Sequence, residues 1–332
     1  MIMNLKNICA VFLSGCFLAC SCGNKTTTGK PEAPISYQKI SPDFNADSAY
    51  SYVDKQVSFG PRVPNTKEHV ECGDYLVTEL KRFGADVIEQ RVDLKAYDET
   101  VMKARNIIGS YNKDNDVRVL LFAHWDTRPV SDRDPNPDNH RNPVLGANDG
   151  ASGVGVLLEV ARVLQQQLPS VGVDIIFFDA EDNGVPEFMD DVPGNWWCLG
   201  SQHWSKNPHV SGYSARYGIL LDMVGAPDAT FLKEEFSMYY ASEVIEKIWS
   251  TARMLGYGKH FVDKKGGAIM DDHIPVNTNL NVPSIDIIQY DKSTSSGFGW
   301  YWHTQNDDMS NISKATLKAV GQTVLEVVYK EK

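Results

Sequence analysis

Four stretches of this chain, NDVRVLLFAHWD, VGVDIIFFDA, ARYGILLDMVGA and VPSIDIIQY, are almost continuously apolar over the length of a strand. A strand with one wet face alternates polar and apolar residues, so runs like these read as strands covered on both faces. Segments with helical periodicity lie around and between them. Asn65 to Phe83 places Val70, Tyr75, Leu76, Leu80 and Phe83 on one side, and GVGVLLEVARVLQQQL, EVIEKIWSTARML and KATLKAVGQTVLEVV follow. Helices alternating with fully buried strands point to an α/β fold with a mostly parallel sheet between helical layers. DVIEQRVDL and ARNIIGSY add two strands ahead of that core.

In such a sheet, ligands collect at the carboxyl ends of the strands. His124 and Asp126 end the first run, Glu181 and Asp182 end the second, and Asp222 ends the third. Each strand end alone is ordinary, since loops are polar. Their convergence on one sheet edge follows from the topology and marks the candidate site.

Charge narrows the partners. The 332 residues carry a formal charge of -11, with 42% hydrophobic and 23% charged residues. That composition suits a globular chain with a full core. Its sign argues against nucleic acid and against wide contact with anionic lipid. The first residues differ: MIMNLKNICAVFLSGCFLACSCG has a short basic start and an apolar run ending in small residues. It is too short for a comfortable membrane span, and residues 1–22 read as a signal region. They resemble a bacterial lipoprotein signal, with Cys16 in LSGC and Cys20 in FLAC as alternative acylation sites. The expectation is export to the periplasm, with membrane contact through a lipid anchor only. Residues 23–45 are polar and Pro-rich and read as a tether, which leaves 46–332 as a single catalytic domain. Only Cys72 and Cys198 lie deep in the folded part, too few for a disulfide framework, and they read as buried thiols.

Zinc takes imidazole nitrogen and carboxylate oxygen, usually as four ligands, with one position open in a catalytic site. Asp149, Asp182 and His303 are the best-placed donors. Asp149 sits in LGANDGASG, where glycines let the backbone turn tightly and hold a carboxylate in space. A plain helix cap is the competing role for it. His303 lies in GWYWHTQNDD, crowded by Trp300, Tyr301 and Trp302, rings suited to walling an apolar pocket. Thr304 and the NDD that follows are placed to orient its ring. Glu181 and Asp182 are neighbours that repel each other, and adjacent side chains diverge. One of them can bind zinc while the other faces substrate as acid and base, with the cation offsetting the repulsion. An acidic turn before Asn183 and Gly184 is the alternative. The loop Asp132 to Arg141 reads as a solvated loop rather than a calcium site.

HWD at His124 to Asp126, GANDGASG around Asp149, FFDAED around Glu181, LLDMVGA around Asp222 and WHTQNDD around His303 resemble the M28 metallopeptidase superfamily. Within it, MDDHIPV at Met270 to Val276, NVPSIDII and YWHTQNDDMSNIS are more similar to zinc-dependent glutaminyl cyclases of the bacterial branch than to aminopeptidases. The likeness runs from about Lys67 to the C-terminus, with the motifs in family order. It implies a single α/β domain with a mixed, mostly parallel twisted central sheet flanked by helices. It also implies one Zn2+ per chain on Asp149, Asp182 and His303, with Glu181 as general base and acid. Asp222 and Asp271 would form the hydrogen-bond network beside it. Trp302 would wall the substrate pocket, with Trp196 or Trp197 opposite. Two departures stand out: Asp182 where the family often has Glu, and Asp286 where the animal cyclases have histidine.

The implied reaction closes the N-terminal glutamine of a peptide or protein to pyroglutamate and releases ammonia, in a chain expected to be monomeric. The competing reading is a two-zinc M28 aminopeptidase. His124, Asp149, Asp182, Asp222 and His303 are formally all five of its ligands, with Asp149 bridging. A short hydrogen bond between Asp222 and Asp271 would hold Asp222 off a second metal. It would leave His124 beside the site, held by carboxylates such as Asp126.

Overall fold

The structure is a computed structural model and describes residues 37–332. The signal region, Cys16, Cys20 and the tether up to residue 36 lie outside the described residues. In chain order the elements are α1 (Ala46–Val57), α2 (Lys67–Arg82), β1 (Asp86–Lys95), β2 (Val101–Tyr111), β3 (Arg118–His124), α3 (Ala151–Gln166), β4 (Gly172–Phe178) and α4 (Leu199–Lys206). They continue with β5 (Tyr217–Asp222), β6 (Phe231–Lys233), α5 (Glu235–Met254), β7 (Phe261–Lys265), α6 (His273–Leu280), β8 (Ser284–Ile288) and α7 (Lys314–Lys330).

The four apolar runs become β3, β4, β5 and β8, and these lie parallel in one sheet ordered β1-β2-β4-β3-β5-β8. β1 and β2 join antiparallel at one edge, so the sheet is mixed and mostly parallel. The continuous apolar character has the expected cause, since both faces are covered. Along β3, Val119, Leu121 and Ala123 enter a core shared with α1, α2, α3, α5 and α7. Leu120 and Phe122 enter a smaller core with Phe178, Trp204 of α4 and Val276 of α6. Phe122 meets Phe178 edge-on at 5.7 Å between ring centroids. Burying each ring contributes about 2–3 kcal/mol.

Sheet register places the site. His124 pairs with Phe178, so β3 and β4 end level and Asp126 comes beside Glu181. Asp222 ends β5 next to Ile288 at the end of β8.

Several elements carry no clear signal in the sequence. α1 begins where the tether reads as ending, capped by the Asn45 side chain on the amides of Asp47 and Ser48. The residues just before it are held to the body. Glu326 takes the amide of Ser41 at 2.9 Å, Gln322 that of Phe44 at 3.0 Å and Glu159 that of Asn45 at 2.9 Å. Phe44 itself is buried. The paired strands β6 and β7 and the short helices α4 and α6 are also new. α5 starts well before EVIEKIWSTARML, across a kink at Ala241.

Candidate active site

The chain leaves β4 through Ala180, held at φ 54°, and then places Glu181 and Asp182. Asp126 fixes this turn from the end of β3. Its Oδ1 accepts the amide of Glu181 at 3.0 Å, and its Oδ2 accepts the amide of Asp182 at 3.2 Å and the Asn183 side chain at 3.1 Å. With both amides directed at one carboxylate, the two side chains part. Asp182 groups with Asp149 and His303, and Glu181 groups with Cys198 and Asp271. Both carboxylates are buried, and the bare acidic turn gives way to two separate roles.

Asp149 is set by its loop. Gly150 has φ 100°, and a Cβ there would sit 2.7 Å from the Asp126 carbonyl oxygen, so only glycine fits. α3 has no side-chain cap, which removes the helix-cap role for Asp149. The Asp307 carboxylate accepts the amides of Asn148 at 2.8 Å and Asp149 at 3.0 Å. The acidic tail after His303 therefore holds the Asp149 turn, whereas the sequence had it orienting the imidazole. Thr304 donates to the Tyr301 carbonyl. The carboxylate beside His303 Nδ1 is Asp132, at 3.6 Å, and Asp132 is in turn bonded to the buried Arg128. Elsewhere in that loop Asp134 accepts the amides of Gln305 and Asn136.

His303 Nε2 lies 3.2 Å from Asp182 Oδ1 and 3.5 Å from Asp149 Oδ2. The donor atoms of these three residues all fall within 4.8 Å of one another. Asp182 Oδ1 is buried and makes no hydrogen bond among the described residues, with the Arg128 guanidinium no nearer than 3.5 Å. A buried carboxylate oxygen without a hydrogen bond is costly unless a cation serves it. Two carboxylates and an imidazole so arranged fit Zn2+.

His124 stands beside this set. Its Nε2 lies 3.1 Å from Asp149 Oδ1 and 3.2 Å from Asp222 Oδ1, and its Nδ1 lies 3.6 Å from Asp126. Burial opposes a charge on this ring, but Asp126, Asp149 and Asp222 hold its pKa well above the usual value. On the far side of Glu181 the carboxyl groups crowd. Burial, then the charges of Asp271, Asp182 and Asp272, push Glu181 well above the usual carboxylate range, against the pull of His124. Burial and the charges of Asp222 and Asp272 do the same to Asp271. The sequence pointed to Asp222 as the hydrogen-bond partner of Asp271. In the structure Asp222 bonds His124 at 3.2 Å, and Asp271 accepts the amide of Asp272 at 2.6 Å, while burial and the charges of Asp271 and Asp222 push Asp286 well above the usual carboxylate range.

Asp149, Glu181, Asp182, Asp222, Asp271 and His303 line a cavity of about 790 Å³. Its apolar walls include Trp302, Trp197 and Phe298. Trp302 stacks on His303 at 3.8 Å between ring centroids, and Trp197 lies parallel to the same imidazole at 6.2 Å. Arg133 lies over Trp302 and Arg128 over Trp197. Of the two candidates for the second wall, Trp197 lines the cavity, while Trp196 turns away and donates to the Val192 carbonyl. Sequence reasoning missed Arg128 and Asp132 and gave Asp307 another role. Each acts through a partner far along the chain, so no local pattern announces it.

Residues 106–328 match the family described as Peptidase family M28. Among solved structures, the chain is 57% identical to one described as Bacteroides thetaiotaomicron glutaminyl cyclase bound to N-acetylhistamine. The match covers 88% of this chain and 100% of that one, with a TM-score of 0.87. It is 61% identical to a Zn-dependent exopeptidase from Parabacteroides distasonis, over 88% of this chain and 100% of that one, also with a TM-score of 0.87. The Drosophila melanogaster glutaminyl-peptide cyclotransferase is 28% identical, over 77% of this chain and 73% of that one. The family match spans every residue of the site built above: the chain belongs to peptidase family M28.

Proposed function

We propose that this protein is a zinc-dependent glutaminyl-peptide cyclotransferase, acting on peptides and proteins with N-terminal glutamine. The observation that carries the reading is the second acid beside the base. Asp271, in a loop ahead of α6, lies with its carboxylate oxygen within 4.8 Å of that of Glu181. Cyclisation takes a proton from an amine and delivers it to a leaving nitrogen, and a second buried acid within reach of the base helps hold that proton between the two steps. The full-length likeness to the Bacteroides cyclase supports the same reading.

Asp149, Asp182 and His303 would hold the single Zn2+. When bound, the ion supplies a Lewis acid for the side-chain amide oxygen of the substrate. Glu181 takes a proton from the α-amine as its nitrogen attacks the side-chain amide carbon. The new C–N bond closes the five-membered lactam. Glu181 returns the proton to the departing nitrogen as the old C–N bond breaks, and ammonia leaves. Both reacting groups belong to one residue, so the cavity need only hold a folded conformer. Trp197 and Trp302 wall that conformer and exclude water. Asp222 and Asp271 line the cavity beside Glu181, and His124 ties Asp222 to Asp149.

The aminopeptidase reading keeps one observation in its favour, the cluster of His124, Asp149 and Asp222. Metal analysis and product identification on one preparation, with Gln-Ala as substrate, separate the two. The expected result is one zinc per chain after dialysis, ammonia and pyroglutamyl-Ala. Two zincs with free glutamine and alanine overturn the cyclase reading. Two zincs with cyclisation overturn the single-ion assignment alone.

Export and lipid anchoring, supported by the leader ending in LSGC and FLAC, complete the proposal, together with a monomeric state. No described helix is long and apolar enough to cross a membrane. Mass spectrometry of the mature N-terminus tests the anchor. A diacylated cysteine at Cys16 or Cys20 is expected, and an unmodified terminus cut elsewhere rules it out.

A further inference from the structure

The described residues hold two free cysteines, and they differ in what they touch. Cys72 is buried in the main core. Cys198 is buried against the site, with Sγ 3.2 Å from Glu181 Oε1. Among the described residues this thiol is the one hydrogen-bond donor to the Glu181 carboxylate.

The contact is built from the backbone up. The amide of Cys198 donates to the Glu181 carbonyl at 2.9 Å, and that of Leu199 donates to the Ala180 carbonyl at 3.0 Å. Cys198 has φ 57° and Ala180 has φ 54°, both left-handed without glycine. Such geometry persists where the surroundings enforce it. α4 enforces it here by close approach: a Cβ at Gly200 would sit 2.1 Å from the Asp179 carbonyl oxygen. Ser201 of the same helix donates to Asp272, the neighbour of Asp271. The start of α4 is thus locked on to the turn that carries the base.

A glutamate has three rotatable bonds, and this one faces the like charges of Asp271 and Asp182. Repulsion alone does not choose a rotamer. We infer that Cys198 is a positioning residue for the reaction: its thiol holds Glu181 Oε1, which leaves Oε2 as the oxygen that carries the proton. The inference rests on the cyclase reading for the role of Glu181. Burial, then the charges of Glu181, Asp272 and Asp271, push the thiol well above its usual pKa, so it keeps its proton and stays a donor. A thiol is also a weak donor, so it orients the carboxylate with little loss of basicity.

The test compares Cys198→Ala and Cys198→Ser with the parent chain on Gln-Ala, with zinc measured in each. For Ala, kcat is expected to fall about 10-fold, the effect of losing one modest hydrogen bond in the transition state. KM should stay within about 2-fold and zinc should be retained, because the thiol touches neither substrate nor a ligand of the ion. Ser should recover kcat to within about 3-fold of the parent, since its hydroxyl donates along the same path. A role in packing alone predicts the opposite order, with Ala no worse than Ser, and that result overturns the inference. A parent-like kcat in the Ala variant also overturns it. The S–H stretching band gives a second reading that needs no Cys198 variant. Glu181→Gln should shift one S–H band toward weaker hydrogen bonding and leave the others in place, and bands that all stay in place overturn the contact. Free glutamine and alanine as the parent's products would sink the cyclase reading separately, while the infrared result would still report the contact.

Discussion

Asp126 shows how two neighbouring carboxylates come to do different work. Because its two oxygens hold the amides of Glu181 and Asp182, one side chain is free for the ion and the other for the proton. Glu181→Gln keeps the size and removes the basic group. We expect kcat to fall at least about 100-fold, within the usual contribution of positioned proton transfer. Zinc content should be unchanged, and a variant that loses zinc would reverse the two assignments. The tryptophans make a matching set. Trp302→Ala and Trp197→Ala should raise KM by about 2–10-fold on a glutaminyl dipeptide, the scale of an aromatic contact. Trp196→Ala should leave it alone, and equal effects at all three positions would refute the wall assigned to Trp197. The donors at the strand ends were legible because topology alone gathers them. The choice between Trp196 and Trp197 was not, since it depends on a loop whose path no periodicity sets.

At the scale of elements, Glu234 joins helix to cavity. Its carboxylate caps α5 through the amides of Phe236 at 2.9 Å and Ser237 at 2.6 Å. It also takes the amide of Ile269 at 2.9 Å, and so pins the loop that leads to Asp271. Burial opposes its charge, but His273 and Ser237 outweigh that and hold its pKa at about 2, below the ordinary 4.5. A depressed carboxyl stabilises the fold above its unfolded value and loses that contribution as pH falls through the folded one. The contribution is about 3 kcal/mol, present above about pH 4.5 and lost toward pH 2. Glu234→Gln should therefore lower stability by about 2–3 kcal/mol in urea at pH 7, with the gap closing as the pH is lowered through that window. A gap that does not change with pH would remove the charge from this account. The long buried strands and α2, α3 and α7 were legible from their periodicity. β6 has three residues, and α6 carries Pro275 and two asparagines, so neither gives a pattern long enough to read.

For the whole molecule, the segment before α1 matters more than its composition suggests. Removing residues 1–36, read from the sequence as leader and tether, should leave melting temperature and kinetics as they are. Removing residues through 45 takes away Phe44 and the amides that Glu326, Gln322 and Glu159 accept. A loss of at least about 3 kcal/mol is expected, the cost of a large buried ring. Equal melting temperatures for the two truncations would show that the domain starts at α1 after all. A second global effect comes from where the three zinc donors sit. Asp149, Asp182 and His303 lie on three separate loops, with about 30 and about 120 residues of chain between them. A shared ion works there as a crosslink does: it shortens the excursions open to the unfolded chain and ties down surface loops. By mass action, each tenfold excess of free zinc over its dissociation constant adds about 1.4 kcal/mol to the folded state. Chelation should accordingly lower the melting temperature and open the loops around His303 to proteases, with re-addition of zinc reversing both. Metal supply then governs how long the folded protein survives as well as how fast it turns over.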